Sequence, residues 1–424
     1  MPSWLKSRAR AVQQSSAVAS AVFAVMESME LRLLLQGCNV VGSAMTVTGN
    51  ASGTGDDIKI QKDGSSKLLV LNGVSEINHA NCYVSDSSIT SITVNADNDD
   101  DKVEIFTGVS AANVTINGGN GNDTLTGGDS GDVINGDAGN DSLVGGAGAD
   151  SLDGGSNDDI LVGGAGADTL NGGNGNDTAD YSASQSNLTI TLDTDPHDGA
   201  AGENDYVQTT IETVLGGSGN DFIVGGSNDE RLEGRGGNDT LRGGLGADIL
   251  VGGGSLGDWV DYSDRTSTAV TIDLTTPAST NGASGEGDSI QGIYNAIGGG
   301  GADTITGDSN ANHLIGGAGN DTIVGGAGND TLSGGDGTDS LSGGDGEDSI
   351  SGGAGGDIVF GGADNDTLEG GLGSDCVYGE GGNDVLYDNT QEEGPDGVAD
   401  LLDGGTGTDS HPYTDSHDTY LNFP

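Results

Sequence analysis

The sequence predicts an all-β fold, a parallel β-roll or β-solenoid, and three observations predict it. A nine-residue pattern recurs in frame between Gly118 and Tyr387. One aliphatic side chain recurs at the same place in the pattern, which a disordered chain has no reason to maintain. Glycine supplies 82 of the 424 residues, against a usual share of about 7%, and it too falls at fixed places. The charge is as unusual, with 67 Asp and Glu against 12 Lys and Arg for a formal net charge of -55. Such a surface repels nucleic acid and anionic lipid, and its self-repulsion opposes a compact state unless cations bind. Cys38, Cys82 and Cys376 form no disulfide or metal spacing, so cysteine leaves the redox compartment open. No stretch reaches the roughly 18 apolar residues of a membrane span.

Residues 1–45 are read as an N-terminal targeting segment of little structure. Lys6, Arg8 and Arg10 precede the apolar run "AVASAVFAVM", which has the charge and length of a weak secretory signal. "LLQGC" at Leu34 to Cys38 is a poor lipoprotein cleavage site. Residues 46–117 carry "DIKIQ", "KLLVLNG", "SITSITVNA" and "NVTINGG". These short alternating strands predict an N-terminal β-solenoid cap for the open end of a repeat stack. Within it, "DNDDD" (Asp97 to Asp101) is spaced like the start of an EF-hand loop. Lys102 stands where that loop demands glycine, so a solvated acidic loop is expected.

The repeats fill three blocks, seven units at 118–180, five at 216–261 and ten at 298–387, 22 in all, each beginning with Gly. "GGNGNDTLT" and "GGDSGDVIN" open the series. The first six residues, G-G-x-G-x-D, predict a turn whose glycines admit positive φ and whose Asp directs a carboxylate inward. The last three are a minimal strand with an apolar centre, such as Leu125, Ile134 and Leu143 in the first block or Ile305, Leu314 and Ile323 in the third. A strand this short cannot stand alone, but strands nine residues apart can stack with two units per coil, giving about 11 coils with the aliphatic residues between two parallel sheets. One buried aliphatic side chain per glycine-rich unit does not offset the backbone entropy of nine residues, so something must bind in the turns.

Stacking places each motif Asp beside the one two units later, as with Asp123 and Asp141. An all-oxygen cage of carboxylates and turn carbonyls suits calcium, whereas magnesium keeps several waters and zinc prefers His or Cys. The candidate ligands of multiple calcium ions are Asp123, Asp132, Asp141, Asp150, Asp159, Asp168 and Asp177 in the first block. Asp221, Asp239, Asp248 and Asp258 follow in the second, and Asp303, Asp321, Asp330, Asp339, Asp348, Asp357, Asp366, Asp375 and Asp384 in the third. Glu230 and Asn312 replace the motif Asp and weaken their cages. Ser130, Asn157, Asn228 and Asp364 replace the third glycine and strain their turns. About 16 pairings arise within the blocks, and filling them would reduce the charge of -55 to roughly -23.

The two inserts, 181–215 and 262–297, resemble one another. "DTADYSASQSNLTITLDT" matches "DWVDYSDRTSTAVTIDLTT", and both are read as longer coils of the same solenoid, with no catalytic role for Tyr181 or Tyr262. At the end of the second block, Gly253 to Gly257 spells G-x-S-x-G, and Gly252, Gly254 and Gly257 spell G-x-G-x-x-G. Both enzyme patterns arise from one extra residue in a turn, with no helix predicted after it, so Ser255 is expected to be a turn residue. After Tyr387 the register is lost across the 388–424 tail, apart from a lone "GGTGTD" at Gly404 to Asp409. His411 and His417 among acids make a weak transition-metal candidate.

The nonapeptide G-G-x-G-x-D-x-U-x, carried from Gly118 to Tyr387, closely resembles that of the RTX, or hemolysin-type, calcium-binding repeat proteins. The resemblance implies a parallel β-roll that folds when calcium binds between stacked turns, and a secreted, extracellular or cell-surface location. "ESMELRLLL" (Glu27 to Leu35) resembles the L-E-P-R-x-L-L segment of planctomycete-type surface proteins, with Met29 and Leu31 departing from it. The expected function is that of a calcium-binding repeat protein, structural or adhesive and not an enzyme. Its candidate partner is a cell-surface or extracellular-matrix polysaccharide. The competing expectation is a polysaccharide-modifying enzyme of epimerase or lyase type, or a carrier module of an RTX enzyme or toxin.

Overall fold

The computed structural model describes residues 38–41, 44–48, 57–62, 67–72, 82–85, 89–109, 113–277, 280–387, 399–412 and 418–423. Residues 1–37, where the targeting segment and the Glu27 to Leu35 match fall, lie outside the described residues, as does His417. All regular structure among the described residues is β. The chain divides into two compact units, Met1–Asp177 and Thr178–Pro424.

In both units each coil contributes one strand to each of two parallel sheets. Ser142–Ala147 pairs with Ile160–Ala165, Leu143 opposite Leu161, while Ser151–Ser156 pairs with Thr169–Asn174, Leu152 opposite Leu170. Within the regular repeats each such step is 18 residues, two nonapeptides to a coil. Most strands of the first and third blocks are six residues long, with burial alternating as in Thr331–Asp336. They run through the first two glycines of the next unit, so the turn there is shorter than the six residues expected from the motif, whereas second-block strands such as Phe222–Val224 and Thr240–Arg242 have the expected three residues. The cause is the two-residue pleat. Two places after each inward Leu or Ile the chain again faces inward, and there stands the first motif glycine. The aliphatic column, including Leu125, Ile134, Leu143, Ile323, Leu341 and Leu368, is almost wholly buried.

In the first unit the predicted cap continues the same stack. Ala44–Thr48, Ser91–Asp97 and Asn113–Asn120 lead in parallel to Val133–Ala138. On the other side Asp57–Lys62 and Lys102–Ile105 lead to Thr124–Thr126. Antiparallel partners, Cys38–Val41 on one sheet and Lys67–Asn72 with Cys82–Ser85 on the other, occupy the first edges.

In the second unit the inserts are coils at which a sheet begins or ends. Leu188–Thr191, with antiparallel Gly199–Ala200, starts a sheet that continues through Phe222–Val224, Thr240–Arg242, Trp259–Asp261 and Asn295–Gly299 to Val385–Tyr387. The opposite sheet stops at Ser289–Gln291. A new one starts at Val270–Asp273 with antiparallel Gly282–Ala283. One sheet thus runs unbroken past the second insert while the other is replaced. The tail also rejoins the stack, because Leu401–Asp403 pairs with Cys376–Gly381 and Thr419–Leu421 pairs with Leu401–Asp403. The nine-residue register is displaced after Tyr387 and then resumes at Asp400, Asp409 and Asp418, of which the lone "GGTGTD" expected from sequence accounts for Asp409 only.

Candidate metal centre

All 20 predicted aspartates are buried, none more than 3% exposed, and within each run of coils they stand in two columns, new columns opening after the inserts where Leu188 donates to Asp221 and Val270 to Asp303. Along one, the Asp303 amide donates to Asp321 Oδ1 at 2.7 Å, Asp321 to Asp339 at 2.8 Å and Asp339 to Asp357 at 2.8 Å. Along the other, Asp330, Asp348, Asp366 and Asp384 are joined in the same way at 2.8 to 2.9 Å. The first unit repeats both columns, through Asp123, Asp141 and Asp159 and through Asp132 and Asp150. Each accepting carboxylate therefore holds one oxygen against the backbone of the preceding coil, whereas Asp132 bonds within its own turn.

The other oxygen meets no hydrogen. Oδ2 of Asp123, Asp141, Asp150, Asp159, Asp239, Asp248, Asp258, Asp303, Asp321, Asp330, Asp339, Asp348, Asp357, Asp366 and Asp384 is buried without a hydrogen-bond partner. A buried acceptor left so is costly, and repetition at this scale marks a recurring ligand position. Its surroundings are oxygen and glycine. A Cβ on Gly334 would stand 2.4 Å from Asp339 Oδ2 and 2.4 Å from the carbonyl oxygen of Gly352. The first motif glycine thus clears a cradle between a carboxylate and a carbonyl of the next coil. Gly335 and Gly337 adopt φ of +109° and +150°, turning further carbonyls along the column. A Cβ on Gly337 would lie 1.4 Å from the Gly319 oxygen.

Burial, reinforced by the neighbouring carboxylates and only partly opposed by the backbone N–H, raises these acids. Asp123, Asp150, Asp159, Asp239 and Asp366 are pushed from 3.8 to about 7. Asp321, Asp348 and Asp357 reach about 6. Without a counter-ion the columns resist ionisation; a divalent cation removes that resistance. The donor set fits calcium, being two carboxylates and backbone carbonyls, all hard oxygens. No group of three His, Cys, Asp or Glu side chains suited to a metal occurs among the described residues, so such a site depends on the backbone for most of its ligands. His411 instead stacks on Tyr420 with ring centroids 4.6 Å apart.

Some positions differ. Asp132 and Asp221 accept at Oδ2 from the amides of Gly128 and Gly217 in their own turns, at 2.6 and 2.8 Å. Asn312 Oδ1 does the same for Asp308, while its Nδ2 donates to the Tyr294 carbonyl at 2.8 Å. Glu230 accepts from the Asn228 amide at 3.0 Å and leaves Oε2 unpartnered. These side-chain-closed turns need no left-handed residue. Ser130 and Asn228 accordingly sit outside the positive-φ set, whereas Asn157 and Asp364 adopt φ of 80° and 79°.

Sequence reasoning missed several members of the columns. Asp101, expected in a solvated loop, is 4% exposed, and its amide donates to Asp123 Oδ1 at 2.8 Å. Asp400 and Asp409 accept from Asp375 and Asp384 at 2.8 and 3.0 Å. In the inserts, Asp288 accepts from the Asp248 amide at 2.9 Å, and its Oδ2 takes the Tyr262 hydroxyl at 2.7 Å. Tyr181 donates likewise to Asp205 at 3.0 Å. The columns therefore do not stop where the blocks stop. Asp258 follows Asp239 after 19 residues, absorbing the extra residue of the Gly253 to Gly257 turn. There Ser255 Oγ donates to Asn238 Oδ1, and no helix follows.

The model of the RTX calcium-binding nonapeptide repeat matches the chain in overlapping segments, 115–143, 144–179, 209–241, 224–255, 297–332, 324–359, 333–368 and 351–386. No curated protein matches the chain.

Proposed function

We propose that this chain, which belongs to the RTX calcium-binding nonapeptide-repeat family, is a secreted or cell-surface protein that folds on binding calcium and serves a structural or adhesive role without catalysis of its own. The observation that carries the folding claim is the column of buried carboxylate oxygens with no hydrogen-bond partner. Asp321, Asp339 and Asp357, with the carbonyl oxygens of the glycine turns, would hold ions along one edge, and Asp330, Asp348, Asp366 and Asp384 along the other. Calcium, held by these carboxylates and turn carbonyls, would supply the positive charge that neutralises the columns. The chain's part is to align oxygens in advance: the aliphatic columns fix the coil spacing, and the glycines let one turn approach the next.

A formal charge of -55 supports an extracellular setting in which free calcium is plentiful, and disfavours nucleic acid as a partner. The adhesive reading takes a cell-surface or matrix polysaccharide as its target. Among the described residues no helix is long and apolar enough to cross a membrane. Circular dichroism in millimolar calcium and in excess chelator tests the folding claim. A chain equally rich in β structure under chelation would defeat it. Calorimetric titration gives the stoichiometry, and a value far below about ten ions would contradict stacked cages. Fractionation of the producing cells, with binding assays on extracted polysaccharide, tests location and adhesion. Protein retained inside the cell, or indifferent to polysaccharide, would reject those parts.

A further inference from the structure

The second insert carries a cation of its own. Arg265, only 8% exposed, donates through Nη2 to the carbonyl oxygen of Gly244 and, at 2.8 Å, to Glu286 Oε1; its Nη1 reaches Asp264. Gly244 is the second glycine of the unit "GGLGADILV". The guanidinium therefore engages the kind of turn carbonyl that elsewhere faces the next coil. Beside it, Asp288 occupies the position of a column aspartate, its Oδ1 on the Asp248 amide. Its Oδ2, the oxygen without a partner in the regular turns, receives the Tyr262 hydroxyl. The same coil is where one sheet ends at Ser289–Gln291 and its replacement starts at Val270–Asp273, so stacking along that sheet is interrupted.

The first insert provides an internal contrast. Tyr181, Glu203 and Asp205 occupy the places of Tyr262, Glu286 and Asp288, and the Ser184 amide donates to the Tyr181 carbonyl as the Arg265 amide does to that of Tyr262, both at 2.9 Å. Serine stands where the second insert has arginine, so the built-in charge belongs to the second insert.

We propose that Arg265 and Tyr262 act as a tethered cation and hydroxyl donor that replace calcium at this coil, so that residues 243–265 and 280–291 remain folded when the regular turns have lost their metal. A guanidinium suits the task, because its fixed charge and several donors can serve carboxylates and a carbonyl at once. The proposal rests on the calcium reading of the columns, and its test separates the two. Hydrogen exchange is measured on the full chain at pH 7.5, in millimolar calcium and in excess chelator. The expected result is that peptides across 313–384 speed up by about a hundredfold on chelation, while those holding the amides of Asp248, Gly252 and Ser289 change by less than about tenfold. Arg265→Met and Tyr262→Phe should abolish that residual protection in chelator yet leave 313–384 protected in calcium. Equal acceleration of both regions in the natural sequence overturns the tethered-cation proposal and leaves the calcium reading standing. No acceleration anywhere overturns both. Undiminished protection of the two variants in chelator removes the role of these side chains.

Discussion

Replacing Asp366 by Asn should reverse its effect on stability with the presence of calcium. Asp366 is 1% exposed; its Oδ1 accepts from the Asp348 amide at 2.9 Å, and its Oδ2 has no hydrogen-bond partner. Burial first, then Asp348, Asp384 and Asp364, push its carboxyl from 3.8 to about 7 against the pull of that amide. The displacement corresponds to about 4 kcal/mol of preference for the neutral form. Relaxation of the turn and proton sharing along the column bring the realised cost at pH 7.5 to on the order of 2 kcal/mol. Asparagine keeps the Oδ1 acceptor, sheds the charge and turns an N–H toward the Gly379 carbonyl. In chelator, Asp366→Asn should therefore lower the trimethylamine N-oxide concentration needed to fold the chain, by the equivalent of about 2 kcal/mol. In millimolar calcium the cation loses a carboxylate oxygen and its charge, and the variant should be less stable by about 3–5 kcal/mol. Both arms are read by far-ultraviolet circular dichroism. A change of the same sign in both media would refute the reasoning, since packing alone does not distinguish them.

Acid should act as a weak substitute for calcium. Because the folded pKa values of Asp123, Asp150 and Asp366 are raised to about 7, their contribution to stability is full below the ordinary 3.8 and is lost as pH climbs through 7. Under chelation, β structure should thus grow as pH falls from 8 toward 4, whereas in limiting calcium acidification should release the ion; a flat chelated titration contradicts this. Gly373→Ala should cost at least about 3 kcal/mol or prevent local stacking, since its φ is +132° and the new Cβ would meet the Gly355 carbonyl oxygen at 1.4 Å. Gly202→Ala, at φ +97° with nothing within 4 Å, should cost only about 1 kcal/mol in thermal unfolding. Ser255→Ala should change stability by less than about 0.5 kcal/mol and leave Ser255-directed serine-hydrolase probes no target to lose. Labelling of Ser255 in the natural chain would overturn its assignment to a turn.

What could be seen in the sequence was whatever repeats locally. The inward Leu, Ile and Asp residues recur every nine positions, so spacing alone yields the sheets, the coil and the carboxylate columns. Asp101 escaped because its turn lacks glycine, and Asp97 itself adopts φ of 96° opposite Gly119. Without the punctuating residues, "DNDDD" resembles a solvated loop. Asp400 escaped, and Asp409 was seen only as the end of a lone "GGTGTD", because they follow their partners by 25 residues where the regular step is 18. Tyr262, Arg265 and Asp288 could not be assembled from spacing at all. Their contacts span 21 and 26 residues, with no period to announce them and a sheet boundary between them.

The ladder of amide to carboxylate has a direction. Asp321 leans on Asp339 and Asp339 on Asp357, so each coil is completed by the one that follows it in sequence. A stack growing from its amino-terminal side always presents a buried N–H still waiting for the next coil. A stack growing from the opposite side leaves a different amide waiting, that of the residue after each aspartate, as Ser340 donates back to the Asp321 carbonyl at 2.8 Å. The two ends of an otherwise periodic structure are therefore unequal in the amide they leave open. The side-chain acceptor comes from the coil that follows and the backbone acceptor from the coil before, so an interior coil is satisfied only with a neighbour on both sides.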